Sequence, residues 1–227
     1  RESLVEALGQ IYDSLLPLDG IAIAMPGIID PEEGYCSMGG ALEYNTGFHL
    51  RRHLRRRCPV NISMENAAKC AALAEAAAGS LRDVDAGFVL IFGTMIGGGY
   101  IKAPRLHRGR HFSAGEVSYL VTDRDSMAGY GTVWGNRCGT PHLCRMYAQQ
   151  KGLDPTGVDG VQVFEAVNRQ DTDALDCLER FTREIAVQIF NLQTVLDVER
   201  FAIGGGISAQ PVFIQSIRRH LQAMYRH

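Results

Sequence analysis

Apolar residues recur along the chain with two periods, and the switches between them outline helices alternating with strands. Leu4, Leu8, Ile11, Leu15 and Leu16 fall at helical spacing, so residues 2–16 are predicted as an amphipathic helix that Pro17 ends. Residues 21–25 form a short apolar strand closed by Pro26-Gly27, and Pro31-Glu32-Glu33-Gly34 carries the chemistry of a hairpin turn. Residues 59–64 alternate apolar and polar, the period of a half-buried strand. Residues 68–78 then supply a run of strong helix formers, small enough to lie very close to a sheet. The almost wholly apolar run 87–92 suggests a strand buried on both faces, leading through a glycine turn at 93–99 into a second strand at 100–102. Helices are predicted at 141–150 and 161–169. A long one at 171–197 carries Leu175, Leu178, Phe181, Ile185, Ile189, Leu192 and Leu196 on one stripe. A strand at 200–203, a triple glycine and a last helix at 211–225 complete an α/β pattern.

Composition narrows this little. The chain of 227 residues suffices for one large domain or two small ones, and a net charge of −2 exerts no global pull on nucleic acid or membrane. No apolar run approaches the roughly 18 residues that span a bilayer, and no signal peptide is visible, which suggests the cytoplasm. Six scattered cysteines read as free thiols rather than a disulfide framework. The one charge run, Arg51-Arg52-His53-Leu54-Arg55-Arg56-Arg57, is either a nucleic-acid patch or the solvated face of a helix buried through Leu50 and Leu54; the spacing favours the latter. Arg1, rather than Met, heads the first helix, so a longer parent chain is expected.

Candidate chemistry gathers at strand ends. Glu65 and Asn66 lie between a strand and the alanine-rich helix, where side chains enter a crevice and helix N–H groups are free. The loop at 38–48 either grips a small polar ligand or merely connects. The glycines after residue 92, with the Thr94 hydroxyl, admit either a phosphate cradle or an ordinary hairpin. Glu116, beside Gly115, could accept two sugar hydroxyls or stand in solvent. The segment 129–139 is predicted as another glycine-rich loop around Trp134, and Cys138, His142 and Cys144 make a poor zinc signature without a second pair. The bare backbone of Gly204-Gly205-Gly206 could lie against a flat ring such as adenine.

Met25-Pro26-Gly27-Ile28-Ile29-Asp30, Glu65-Asn66 with its alanine-rich helix, Gly93-Thr94 with Gly97-Gly98-Gly99, Gly115-Glu116 and Ile203-Gly204-Gly205-Gly206 follow one another in an order and spacing that resemble the ROK family of bacterial sugar kinases and sugar-responsive repressors. The similarity spans essentially the whole chain and is greatest to the zinc-less β-glucoside kinase and glucokinase-like branch. It implies two ribonuclease-H-like α/β domains of the actin-like ATPase, hexokinase-like type around a sugar cleft. The division would fall at residues 1–82 and 83–227, with the first phosphate loop and the last family helix outside the chain. It implies ATP with magnesium, a homodimer whose seam lies near the helix at 171–197, and nucleic acid only through a DNA-binding segment before Arg1. By resemblance, Gly40, Asn45, Asn66, Glu116 and Tyr119 form the sugar set. Gly93, Thr94, Gly97 and Gly98 form the phosphate motif, and Gly204, Gly205 and Gly206 the adenosine motif.

The chain departs from the family pattern at three described positions. Ala67 stands where the pattern has the aspartate that takes the hydroxyl proton, and a methyl group cannot accept one, so transfer is expected to be crippled and a sugar-binding pseudokinase becomes the competing reading. Tyr119 replaces the usual histidine, and the cysteine knuckle for structural zinc is missing. Met95 replaces a glycine and is expected to crowd the γ-phosphate.

Overall fold

A computed structural model describes residues 1–122 and 132–226. Helix α1 (Glu2–Ser14) precedes strand β1 (Gly20–Met25), the hairpin of β2 (Ile28–Asp30) and β3 (Tyr35–Met38), helix α2 (Leu50–Arg57) and strand β4 (Asn61–Asn66). β1 and β4 run parallel, Gly20 opposite Asn61 and Met25 opposite Asn66. α2 buries Leu50 and Leu54 and leaves Arg52, Arg55 and Arg56 exposed, which is the solvated-face arrangement. Met25, Ile29, Phe48, Leu50, Leu54, Ile62 and Met64 form one apolar core here, with Leu4, Val5 and Leu8 of α1 against it.

Helix α3 (Ala67–Ala78) follows β4 without a gap and leads to β5 (Ala86–Phe92), β6 (Ile96–Lys102) and β7 (Arg105–His107). Together with β8 (Arg200–Gly204) these form one sheet in the order β7-β6-β5-β8, antiparallel throughout except for the parallel β5–β8 pair. Helices α4 (Trp134–Cys138), α5 (Thr140–Lys151), α6 (Gly160–Asn168), α7 (Thr172–Leu196) and α8 (Pro211–Met224) cover one face. Their core joins Phe88, Leu90 and Phe92 to Trp134, Phe164, Phe181, Ile185 and Phe213. The stripe on α7 is therefore core through Leu178, Phe181, Ile185 and Ile189.

α3 covers the opposite face, and Ala72 is buried with Leu81, Val89, Ile101 and Leu106. The approach is close because the sheet has glycines beneath the helix. A methyl group built on Gly97 would stand 2.5 Å from the Ala68 methyl carbon, and one on Gly99 2.5 Å from that of Ala72.

Three local expectations need correction. The glycine turn is only Gly93-Thr94-Met95, since residues 97–99 lie inside β6. Part of the loop expected at 129–139 falls outside the described residues, and its second half is α4, held by the fully buried Trp134 and Cys138. β7 was not visible in the pattern, being three residues long with only Leu106 buried.

Candidate functional site

Asn66 ends β4 and caps α3. Its side-chain oxygen accepts hydrogen bonds from the backbone N–H of Ala68 (2.9 Å) and Lys69 (3.1 Å), while its amide nitrogen donates to the Gly27 carbonyl (2.9 Å). Gly27 has φ 105, and the carbonyl of Met38 fills the space where its side chain would be. The backbone of Gly40 (φ 56) stacks against Gly27, so the 38–48 loop closes over the end of β1. Within that loop Asn45 is wholly buried, and neither its side-chain oxygen nor its nitrogen has a partner among the described residues. A buried, unsatisfied carboxamide costs about 1–3 kcal/mol, and a bound hydroxyl or water would remove that cost.

The 107–119 segment approaches from the other side. Glu116 is largely buried, and its Oε1 accepts a hydrogen bond from Lys69 Nζ at 2.8 Å. Burial pushes its carboxyl above the ordinary carboxylate range, and the Lys69 ammonium opposes that rise. Arg108 donates from Nε to Glu65 Oε2 at 2.7 Å, while Glu65 Oε1 accepts the Asn66 N–H. The Tyr119 hydroxyl faces Met38 Sδ at 3.8 Å, bridging the two loops. The structure thus brings Gly40, Asn66, Glu116 and Tyr119 around the start of α3. Ala67 is the first helical residue and is exposed. Lys69 and Arg108 were missed from sequence, and Gly27 was visible only as part of a motif. Lys69 is the one charged residue between Asn66 and Leu73, a weak signal that only burial makes meaningful.

A second group stands at the carboxyl ends of β5 and β8, which pair with Ile91 opposite Gly204. Gly205 has φ 95, and its missing side chain makes room for the Phe92 carbonyl; open space surrounds the Cα of Gly206. Gly93 accepts the Thr140 N–H at 2.8 Å, which ties the turn to the start of α5. The Gly93 N–H donates to the Met95 carbonyl at 2.9 Å, so both backbone groups of Gly93 are engaged, while Thr94 is exposed with its carbonyl against Gly139. Gly97 and Gly98 have their faces occupied, the first by Ala68 and the second by the Gly115 carbonyl. The terminal methyl of Met95 packs at Gly135 of α4. Cys138 is buried with its thiol pushed well above the usual range, and burial with nearby arginines pushes His142 down to about 4. Among the described residues no three His, Cys, Asp or Glu side chains stand close enough to hold a metal ion.

The model of the ROK family matches residues 1–227. The chain belongs to the ROK family. Among its relatives, the β-glucoside kinase of Listeria monocytogenes is 32% identical over 205 residues, 90% of this chain and 70% of that protein. The Lmo2764 protein of Listeria monocytogenes superposes with a TM-score of 0.90 at 28% identity, covering 98% of this chain and 77% of that one. A ROK-family glucokinase from Streptomyces griseus, solved in complex with glucose and AMPPNP, shares the fold at a TM-score of 0.88 and 20% identity, over 100% and 79% of the two chains. The ROK chain described here accordingly has the actin-like, hexokinase-like fold, and its relatives include sugar kinases and a transcriptional regulator.

Proposed function

We propose that this ROK chain is built as an ATP-dependent sugar kinase for glucose, a glucosamine-type sugar or a β-glucoside, with phosphoryl transfer impaired by Ala67. The observation that carries the reading is the convergence on the first turn of α3. Glu116 reaches it through Lys69, Asn66 caps it, and the sheet beneath it leads through Gly97 to the Gly93-Thr94 turn. Two domains, meeting near residue 82, would form the walls of the cleft.

When bound, magnesium-ATP supplies the γ-phosphoryl group. At the Gly93-Thr94 turn the exposed Thr94 would donate to phosphate oxygens, and the bare backbone of Gly204, Gly205 and Gly206 would carry the adenosine. Magnesium would arrive on the phosphates, as it commonly does where few protein ligands are offered. At the sugar, Glu116 accepts from hydroxyls and the second amide hydrogen of Asn66 donates, with Asn45 and the Gly40 backbone completing the pocket. Position 67, at the exposed start of the helix, faces the hydroxyl to be phosphorylated. Loss of a general base there costs about 10²–10⁴ in rate.

The test is Ala67→Asp in the full-length protein, assayed for ATP consumption with glucose, N-acetylglucosamine and cellobiose. Turnover should rise by about 10²–10⁴ with at least one sugar. The variant should also be at least as stable as the parent, since a carboxylate in the first turn of a helix is stabilising by about 0.3–1 kcal/mol. Absence of turnover with every sugar sinks the kinase reading.

Ala67 itself favours one competitor, a pseudokinase that binds sugar without transferring phosphate. That reading expects calorimetric sugar binding, no turnover from the parent protein, and loss of binding in Glu116→Ala. A repressor would need a DNA-binding segment before Arg1, which the upstream gene sequence decides. In either case the protein would be a cytoplasmic homodimer.

A further inference from the structure

Lys69 is the most deeply buried charged side chain of the site, at 1% exposure. An ammonium withdrawn from water is costly unless its protons are taken up. Two acceptors meet it at 2.8 Å, Glu116 Oε1 and the Phe112 carbonyl. Phe112 holds a left-handed backbone (φ 60) that aromatic residues rarely adopt, and three residues later Gly115 (φ 85) turns its carbonyl against Gly98. The loop is thus folded around Lys69 at one point and braced on β6 at another. Glu116 Oε2, by contrast, has no hydrogen-bond partner among the described residues.

We infer that Lys69 is the positioning residue of the sugar pocket, pinning one oxygen of Glu116 so that the other is presented, ionised, to a sugar hydroxyl. The inference rests on the sugar-site reading above and adds to it a residue that binds no sugar itself. The groups facing Glu116 are few. Lys69 comes from α3, and Glu65 from β4 with its own carboxylate engaged by Arg108. Glu65 and burial both favour the protonated form of Glu116, and Lys69 alone opposes them. A protonated Glu116 would offer one donor in place of an acceptor and would lose its grip on paired hydroxyls.

The experiment follows the Glu116 carboxyl by carbon-13 NMR between pH 4 and 9, without sugar, in the parent protein, Lys69→Met and Lys69→Arg. Calorimetry with glucose and cellobiose runs in parallel. Lys69→Met should move the Glu116 midpoint upward by at least one pH unit and weaken sugar binding at least tenfold at pH 7. Lys69→Arg should restore the midpoint and most of the affinity. An unmoved midpoint and an unchanged pH profile of affinity in Lys69→Met overturn the proposal, even if stability falls. Should Lys69→Met not fold, the parent alone still decides, because a Glu116 found protonated at pH 7 overturns it. A parent that binds no sugar while Lys69→Met shifts the midpoint defeats the sugar reading and leaves the role of Lys69 standing.

Discussion

Asn66 does three things with one side chain: it ends β4, starts α3, and ties both to the Gly27 turn. Removing it therefore costs more than a cap. Asn66→Ala should destabilise the fold by about 2–3 kcal/mol, about 1 from the lost cap and the remainder from the Gly27 carbonyl left buried without a donor. Urea denaturation should show this as a lower midpoint at constant slope, with Asn66→Asp recovering the cap share only. At this scale the sequence marked Asn66 and Glu116 as polar residues at a strand end and in a loop, and the structure places both beside the first turn of α3. The sequence was silent on Lys69, because a lone lysine in an alanine-rich helix reads as a solvated residue until the loop that covers it is known. The direction of the Met95 side chain was illegible for the same reason, since its methyl packs at Gly135, forty residues later.

Helix α3 and strand β6 form one unit, in which alanine methyls sit over glycines. A larger residue has nowhere to go. Gly99→Val should cost about 1–3 kcal/mol or more by overpacking, read as a drop in thermal midpoint, and Ala72→Gly in the same chain should recover part of it. Element types were readable wherever side chains alternate or recur, as in α1, α2, α7 and β5. The boundary of β6 was not, because three glycines carry no period and look like a turn. α4 was hidden similarly: only Trp134 and Cys138, four apart and fully buried, mark it as a helix within glycine-bearing sequence.

Across the molecule, the apolar residues of the first 64 positions form a core apart from the cores built on the four-stranded sheet. The first of these rests on a two-stranded parallel sheet, whereas β5 lies between β6 and β8 and is buried along most of its length. Two-stranded sheets are marginal alone, so local opening should start there. Native-state hydrogen exchange is expected to give the β1 and β4 amides a lower opening free energy than those of β5; equal protection would show the two cores to open together. The overall α/β alternation was evident from hydrophobic period alone. The sheet order was not, because β8 returns to β5 from more than a hundred residues away.

The seating of Ala68 and Ala72 over Gly97 and Gly99 also limits how α3 can move against the sheet. A smooth-faced helix could glide along a sheet by fractions of an ångström; one whose methyls are lodged in notches cannot. Sliding α3 would have to proceed by a whole turn, about 5.4 Å, before methyls and notches matched again. Small motions of α3 and β6 must therefore be shared, as those of one solid plate. The plate joins the rest of the chain at the two ends of the helix, Glu65-Asn66 and Gly79-Ser80, and position 67 rides on it beside the first of them.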